Sequence, residues 1–168
     1  MSTHVPQALV RPAAHLLTFS SYGSHLHGDS RGSVDRAHNR FGSEPLTPDP
    51  LREFAARQSG GPPILFELEQ RRVIDTTVKQ VCTFRGWALH AINVRTQHVH
   101  CVISGDVEPE RMMNDLKSYA TRRMTEAGVW TRGEKAWTRH GSTRYLWTSE
   151  HLEAAVVYVR DRQGPSLI

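Results

Sequence analysis

The stretch Gln97-His98-Val99-His100-Cys101-Val102-Ile103-Ser104 decides how this chain is read. Side chains i and i+2 of a strand share a face, so Val99, Cys101 and Ile103 point together into apolar cover. His98 and His100 then project side by side from the other face. Two imidazoles on a rigid sheet form half of a divalent-metal site, since imidazole is a common ligand for such ions. The other reading of the pair is two partly buried structural histidines. The same His-apolar-His pattern occurs at His25-Leu26-His27. There it runs into Gly28-Asp29-Ser30-Arg31-Gly32, a turn-forming sequence that gives it no long strand.

Working outward, His15 to Tyr22 reads as a first strand, rich in β-branched and aromatic types. From Gly23 to Pro50 the chain is rich in Gly, Ser, Asp and Pro and carries Arg31, Arg36 and Arg40; with a short helix over Leu51 to Gln58 it makes a long loop insertion at 23–63. Val73, Ile74, Thr77, Val78 and Val81 recur with helical spacing, and Gly86 is placed to end that helix. Trp87 to Thr96 is a strand, with His98 to Ser104 as its antiparallel neighbour after a tight turn. Glu108 to Ala127 is a second long helix, with Met113, Leu116, Ala120 and Met124 on one face. Ala136 to Thr148 reads as a hairpin or irregular strand pair around Gly141-Ser142. Ser149 then caps a last helix through Gln163, stopped by Gly164-Pro165. The order strand, helix, strand, strand, helix, strand, helix predicts an α+β fold. An antiparallel sheet would carry helices packed on it in the split-βαβ, ferredoxin-like manner.

With 168 residues, the chain is expected to form one domain over 15–168, preceded by a loose arm at 1–14. No apolar run is long enough to cross a bilayer, and no charged-then-apolar leader opens the sequence. Cys82 and Cys101 sit in apolar patterns without a Cys-x-x-Cys pair, which reads as buried thiols in a reducing cytoplasm. The net charge of +4 favours polyanionic partners, nucleic acid first. Lys117, Arg122, Arg123, Arg132, Lys135, Arg139 and Arg144 concentrate positive charge around the second helix and the strand after it. Together they suit a surface that tracks phosphates.

The last helix holds Tyr158-Val159-Arg160-Asp161-Arg162-Gln163, with Leu152, Ala155, Val156 and Val159 as its apolar stripe and Tyr158 at the border of that stripe. A His-apolar-His strand, followed some sixty residues later by a C-terminal helix bearing a tyrosine, resembles the HUH single-tyrosine transposases, the small insertion-sequence and REP-associated enzymes. The likeness runs from His15 to Gln163 and is most specific at Asn93-Val94-Arg95-Thr96-Gln97-His98-Val99-His100. The segments 27–36 and 141–147 are similar to one bacterial subgroup.

The resemblance implies that His98 and His100 bind Mg²⁺ or Mn²⁺ and that Tyr158 is the nucleophile. The activity implied is a metal-dependent single-stranded DNA endonuclease and strand transferase acting through a 5′-phosphotyrosine. It also implies recognition of DNA hairpins and a possible homodimer. In many family members a Gln or Asn at i+4 from the tyrosine completes the metal site, but here that position is Arg162, which cannot bind a cation. Asp161 is favoured by helical geometry and Gln163 by side-chain type, and both stand as third-ligand candidates. Tyr119, on the second helix, is a rival nucleophile, although its place beside an apolar stripe suits packing. A non-catalytic hairpin-binding descendant of such an enzyme is the alternative function. No Gly-rich phosphate loop with its lysine is found, so no nucleotide-driven step is expected.

Overall fold

The computed structural model describes residues 11–24, 62–164 and 167–168. Its elements are β1 (Ala14–Ser21), α1 (Leu68–Arg85), β2 (Ala88–Val94), β3 (His98–Ser104), α2 (Pro109–Glu126), β4 (Trp137–Leu146) and α3 (Ser149–Asp161), in the order the periodicity predicts. The strands form one antiparallel sheet in the order β2-β3-β1-β4. Two strand-helix-strand units are thus interleaved, the split-βαβ arrangement. The segment 25–61, with its short predicted helix and His25-Leu26-His27, lies outside the described residues, as does 1–10.

Two apolar layers cover the sheet, and strand alternation sorts residues between them. On one face Leu17, Phe19, Val99, Cys101 and Ile103 pack with Ile74, Val78 and Val81 of α1 and with Met112, Leu116, Ala120 and Met124 of α2. On the other face Leu16, Val102 and Leu146 pack with Ala155 and Val159 of α3. The central strands are covered on both sides, which explains why β1 and β3 are buried at nearly every position.

Local signals set the helix ends. At the start of α1 the Glu67 N–H donates to Gln70 Oε1 at 2.9 Å, and Gly86 ends the helix in the left-handed region at φ 69°. Pro109 opens α2, where a missing N–H costs nothing. Thr148, rather than Ser149, caps α3, its hydroxyl accepting from the His151 N–H at 3.2 Å.

Two further expectations are corrected. The 136–148 region is no hairpin but the single strand β4, paired along β1 with a register shift between Phe19 and Ser21. The end of the N-terminal arm is attached: Ala14 begins β1, the Ala13 N–H donates to Leu146 O at 2.7 Å, and Arg11 pairs with Asp106 at 2.6 Å. The turn residue predicted at 141 has a packing reason instead. A Cβ added to Gly141 would stand 2.5 Å from both Met113 Sδ and the Thr18 carbonyl, so β4 approaches β1 and α2 too closely for a side chain. Gly141→Ala should cost about 1–3 kcal/mol, as overpacking does. Urea unfolding of the variant beside the wild type checks this.

Candidate functional site

β3 carries His98 and His100 on the α3 face of the sheet, because its alternate residues Val99 and Cys101 fill the core beneath α1 and α2. The register of β1 then fixes what stands beside them. Ser20 lies opposite His98 and Thr18 opposite His100. The Ser20 hydroxyl is 2.9 Å from His98 Nδ1, and the Thr18 hydroxyl is 3.0 Å from His100 Nδ1. The imidazole centroids are 6.0 Å apart with their planes inclined by only 31°. His100 is 8% exposed. Burial, helped by His98 and Arg95 nearby, pushes its imidazole down to about 4, so it is neutral at pH 7.

Tyr158 reaches the pair from α3. Its ring meets that of His100 edge-on, centroids 6.2 Å apart and planes at 87°, and it is 36% exposed. Successive helical residues turn by about 100°. With Val159 fully buried against the sheet, Tyr158 therefore falls at the edge of the buried stripe, one side on His100 and one side open. Asn93, opposite His100 on β2, is buried and donates from Nδ2 to the Val159 carbonyl at 3.1 Å. That bond satisfies a carbonyl in the last turn of α3 and ties the tyrosine's helix to the histidines' sheet.

The two third-ligand candidates part here. Asp161 is two residues beyond Val159, about 200° round the helix, and is exposed. Among the described residues no three His, Cys, Asp or Glu side chains group as a metal site, so Asp161 does not complete a set with His98 and His100. Gln163 follows the end of α3 and is half-buried. The fit to a divalent cation therefore stands on two adjacent imidazoles, with His100 held neutral as ligation requires.

The basic residues divide between the two faces. Arg144 pairs with Leu16 of β1, whose side chain lies in the α3-side core, so Arg144 projects on the histidine face. It is half-buried; burial lowers its guanidinium below the ordinary range, with neighbouring Tyr158 acting against that shift. Arg122 and Arg123 are exposed on α2, across the sheet, with Arg122 5.4 Å over the Tyr119 ring and Arg123 paired to Glu126 at 3.1 Å. Arg132, Lys135 and Arg139 are exposed along the approach to β4 and its first residues. Tyr119 packs against the α1 and α2 core, on the wrong side of the sheet to reach the histidines.

Lys117 is corrected outright. It is 7% exposed, and its ammonium donates to the carbonyls of Thr138 at 3.0 Å and His140 at 3.1 Å, pinning β4 to α2 instead of meeting phosphate. Sequence reasoning also missed Thr18, Ser20, Asn93 and Arg95. The Arg95 guanidinium lies against Gly164, just past α3. Thr18 and Ser20 repeat the i, i+2 spacing of the histidines, a signal that becomes readable only once the two strands are known to pair.

Residues 64–160, more than half of the chain, match the sequence family described as "Transposase IS200 like". No curated protein matches the chain. Among solved structures it is similar to a REP-associated tyrosine transposase bound to a REP hairpin, at 11% identity and a TM-score of 0.47, covering 95% of this chain and 70% of that one. It is also similar to a Deinococcus radiodurans R1 protein described as a transposase, at 16% identity and a TM-score of 0.48, covering 99% of this chain and 100% of that one.

Burial lowers the Lys117 ammonium to about 8, from 10.5 in an open chain. Between those values the unfolded chain binds more protons than the folded one, so this residue's effect on stability grows more favourable as pH rises. The stability of the wild type relative to Lys117→Met should therefore increase by about 2 kcal/mol between pH 7.5 and pH 10. Paired urea melts at the two pH values read the difference and cancel the titration of other groups.

Proposed function

The chain belongs to the IS200-like transposases, and from that premise we propose that it cleaves and rejoins single-stranded DNA at Tyr158, beside a divalent-metal site built on His98 and His100. The observation that carries the reading is the edge-on placement of the Tyr158 ring on His100, with His98 alongside. One phosphate could touch the phenol and approach both imidazoles.

In the proposed reaction the Tyr158 oxygen attacks phosphorus as its proton leaves. The P–O bond to the 3′-oxygen breaks, and that oxygen takes up a proton as the free 3′-hydroxyl. The strand stays attached as a 5′-phosphotyrosine, so one phosphodiester is exchanged for another, and a 3′-hydroxyl can reverse the step without nucleotide hydrolysis. His98 and His100 would hold Mg²⁺ or Mn²⁺, with Gln163 as third donor; the ion supplies Lewis-acid neutralisation of charge on the phosphate. Arg144, on the same face and beside Tyr158, would attract the phosphate to the phenol.

Burial of Val159 and the Asn93 bond hold Tyr158 in position, which lowers the entropy cost of the attack. Exposed Arg122, Arg123, Arg132, Lys135 and Arg139 supply phosphate attraction away from the reacting atoms, suited to a folded substrate such as a DNA hairpin with a single-stranded flank.

Incubation with Mn²⁺ and labelled hairpin DNA carrying single-stranded flanks should give a covalent protein-DNA adduct. Tyr158→Phe should abolish it while leaving DNA affinity within about twofold, since phosphate contacts dominate affinity. The paired change His98→Ala with His100→Ala should cut the cleavage rate by at least about a hundredfold, a loss of roughly 3 kcal/mol. Adduct formation that survives Tyr158→Phe would sink the assignment. Hairpin binding with no adduct in the wild type would favour the non-cutting alternative.

A further inference from the structure

We propose that Thr18 and Ser20 are positioning residues whose hydroxyls accept the Nδ1 protons of His100 and His98, so that Nε2 of each imidazole is presented to a divalent cation. The inference rests on the metal-binding reading of the pair. Neutral imidazole has one protonated and one bare nitrogen, and the partner of the first decides which nitrogen can ligate. Here both Nδ1 atoms face hydroxyl oxygens of β1, at 3.0 Å for Thr18 and 2.9 Å for Ser20. If a hydroxyl accepts the Nδ1 proton, Nε2 carries the lone pair and suits a metal. If it donates, Nδ1 is occupied and Nε2 is protonated, and the ring cannot ligate through either atom.

The arrangement is rigid and duplicated. Thr18 and Ser20 sit at i and i+2 on a strand paired on both sides, opposite histidines at i and i+2 on β3, so one register makes both contacts. The near-parallel rings follow from that repetition, since the same edge of each ring is anchored to the same strand. Thr18 is β-branched and stiff at χ1, and Ser20 is 4% exposed, so neither hydroxyl moves freely away. Hydrogen bonds of this kind behind metal-ligating histidines set ring orientation and raise basicity, and their loss typically costs about 10–100-fold in metal affinity.

The test uses the full chain, stripped of metal at pH 7.5, with ¹⁵N-labelled histidine. NMR should find Nδ1 protonated and Nε2 bare in both His98 and His100. Thr18→Val, which keeps shape and removes the hydroxyl, should disturb His100 alone; Ser20→Ala should disturb His98 alone. Mn²⁺ titration followed by electron paramagnetic resonance should show each variant weakened at least about tenfold. Thr18→Ser and Ser20→Thr should restore the affinity, and melting curves should confirm that the variants fold. Protonated Nε2 in the wild type would overturn the proposal, as would unchanged tautomers and Mn²⁺ affinity in folded Thr18→Val and Ser20→Ala. Bare Nε2 atoms in a wild type that binds no Mn²⁺ would support the hydroxyl anchoring and overturn the metal-binding reading instead.

Discussion

The register of β1 against β3 is the constraint on which the rest of the structure depends. With Leu17 opposite Cys101 and Phe19 opposite Val99, one set of side chains enters the core beneath α1 and α2. The same pairing sets Thr18 opposite His100 and Ser20 opposite His98 on the other face. A slip of one residue would carry the imidazoles into hydrocarbon and turn Val99 and Cys101 outward. Because both faces of these strands are buried over much of their length, the penalty for slippage is paid twice. The histidine pair is therefore held by the packing of its neighbours on the strand, although neither histidine contributes much apolar area to it.

A sheet covered on both sides also partitions chemistry. The α1 and α2 face is dominated by apolar packing, with Lys117 the notable polar exception, its ammonium spent on two β4 carbonyls. The α3 face is only partly covered, because α3 is short and ends close to the histidines. Thr18, Ser20, His98, His100 and Arg144 occupy the part of this face that the α3 stripe leaves polar. Tyr158 stands where the apolar stripe of α3 gives way to that polar ground. Its position is a consequence of helix periodicity acting on a buried neighbour, Val159.

Electrostatics at the site follow from this partial cover. His100 is neutral because it is desolvated and lies near the Arg95 guanidinium, which keeps its lone pair available near neutral pH. Arg144 bears a burial cost that Tyr158 only partly opposes, an arrangement that favours an anion close to the guanidinium. Asn93 makes the mechanical counterpart: a side chain opposite His100 reaches across to the backbone that carries Tyr158, so strand and helix cannot drift apart independently.

How much of this is legible in the sequence depends on the range of each interaction. The element order, both faces of β3, the end of α1, the extent of α2, and the helix bearing Tyr158 are written in local periodicity and in the turn residues that end each element. The pairing of His98 with His100 follows from adjacent positions on one strand and needs no partner to be read. Residues 18 and 100 are brought together by strand pairing across about half of the chain, so the hydroxyls behind the imidazoles became visible only in the folded sheet. The same holds for Asn93 against Val159, for the Lys117 ammonium drawn into β4, and for Arg144 rather than Arg122 beside the tyrosine. Between Asp161 and Gln163, helical spacing from Tyr158 pointed to the first and side-chain type to the second; the fold shows only that Asp161, two residues past buried Val159, is exposed and Gln163 half-buried. Periodicity is a property of consecutive residues and survives in the sequence. What lies across from a buried face is set by long-range packing that no local pattern encodes.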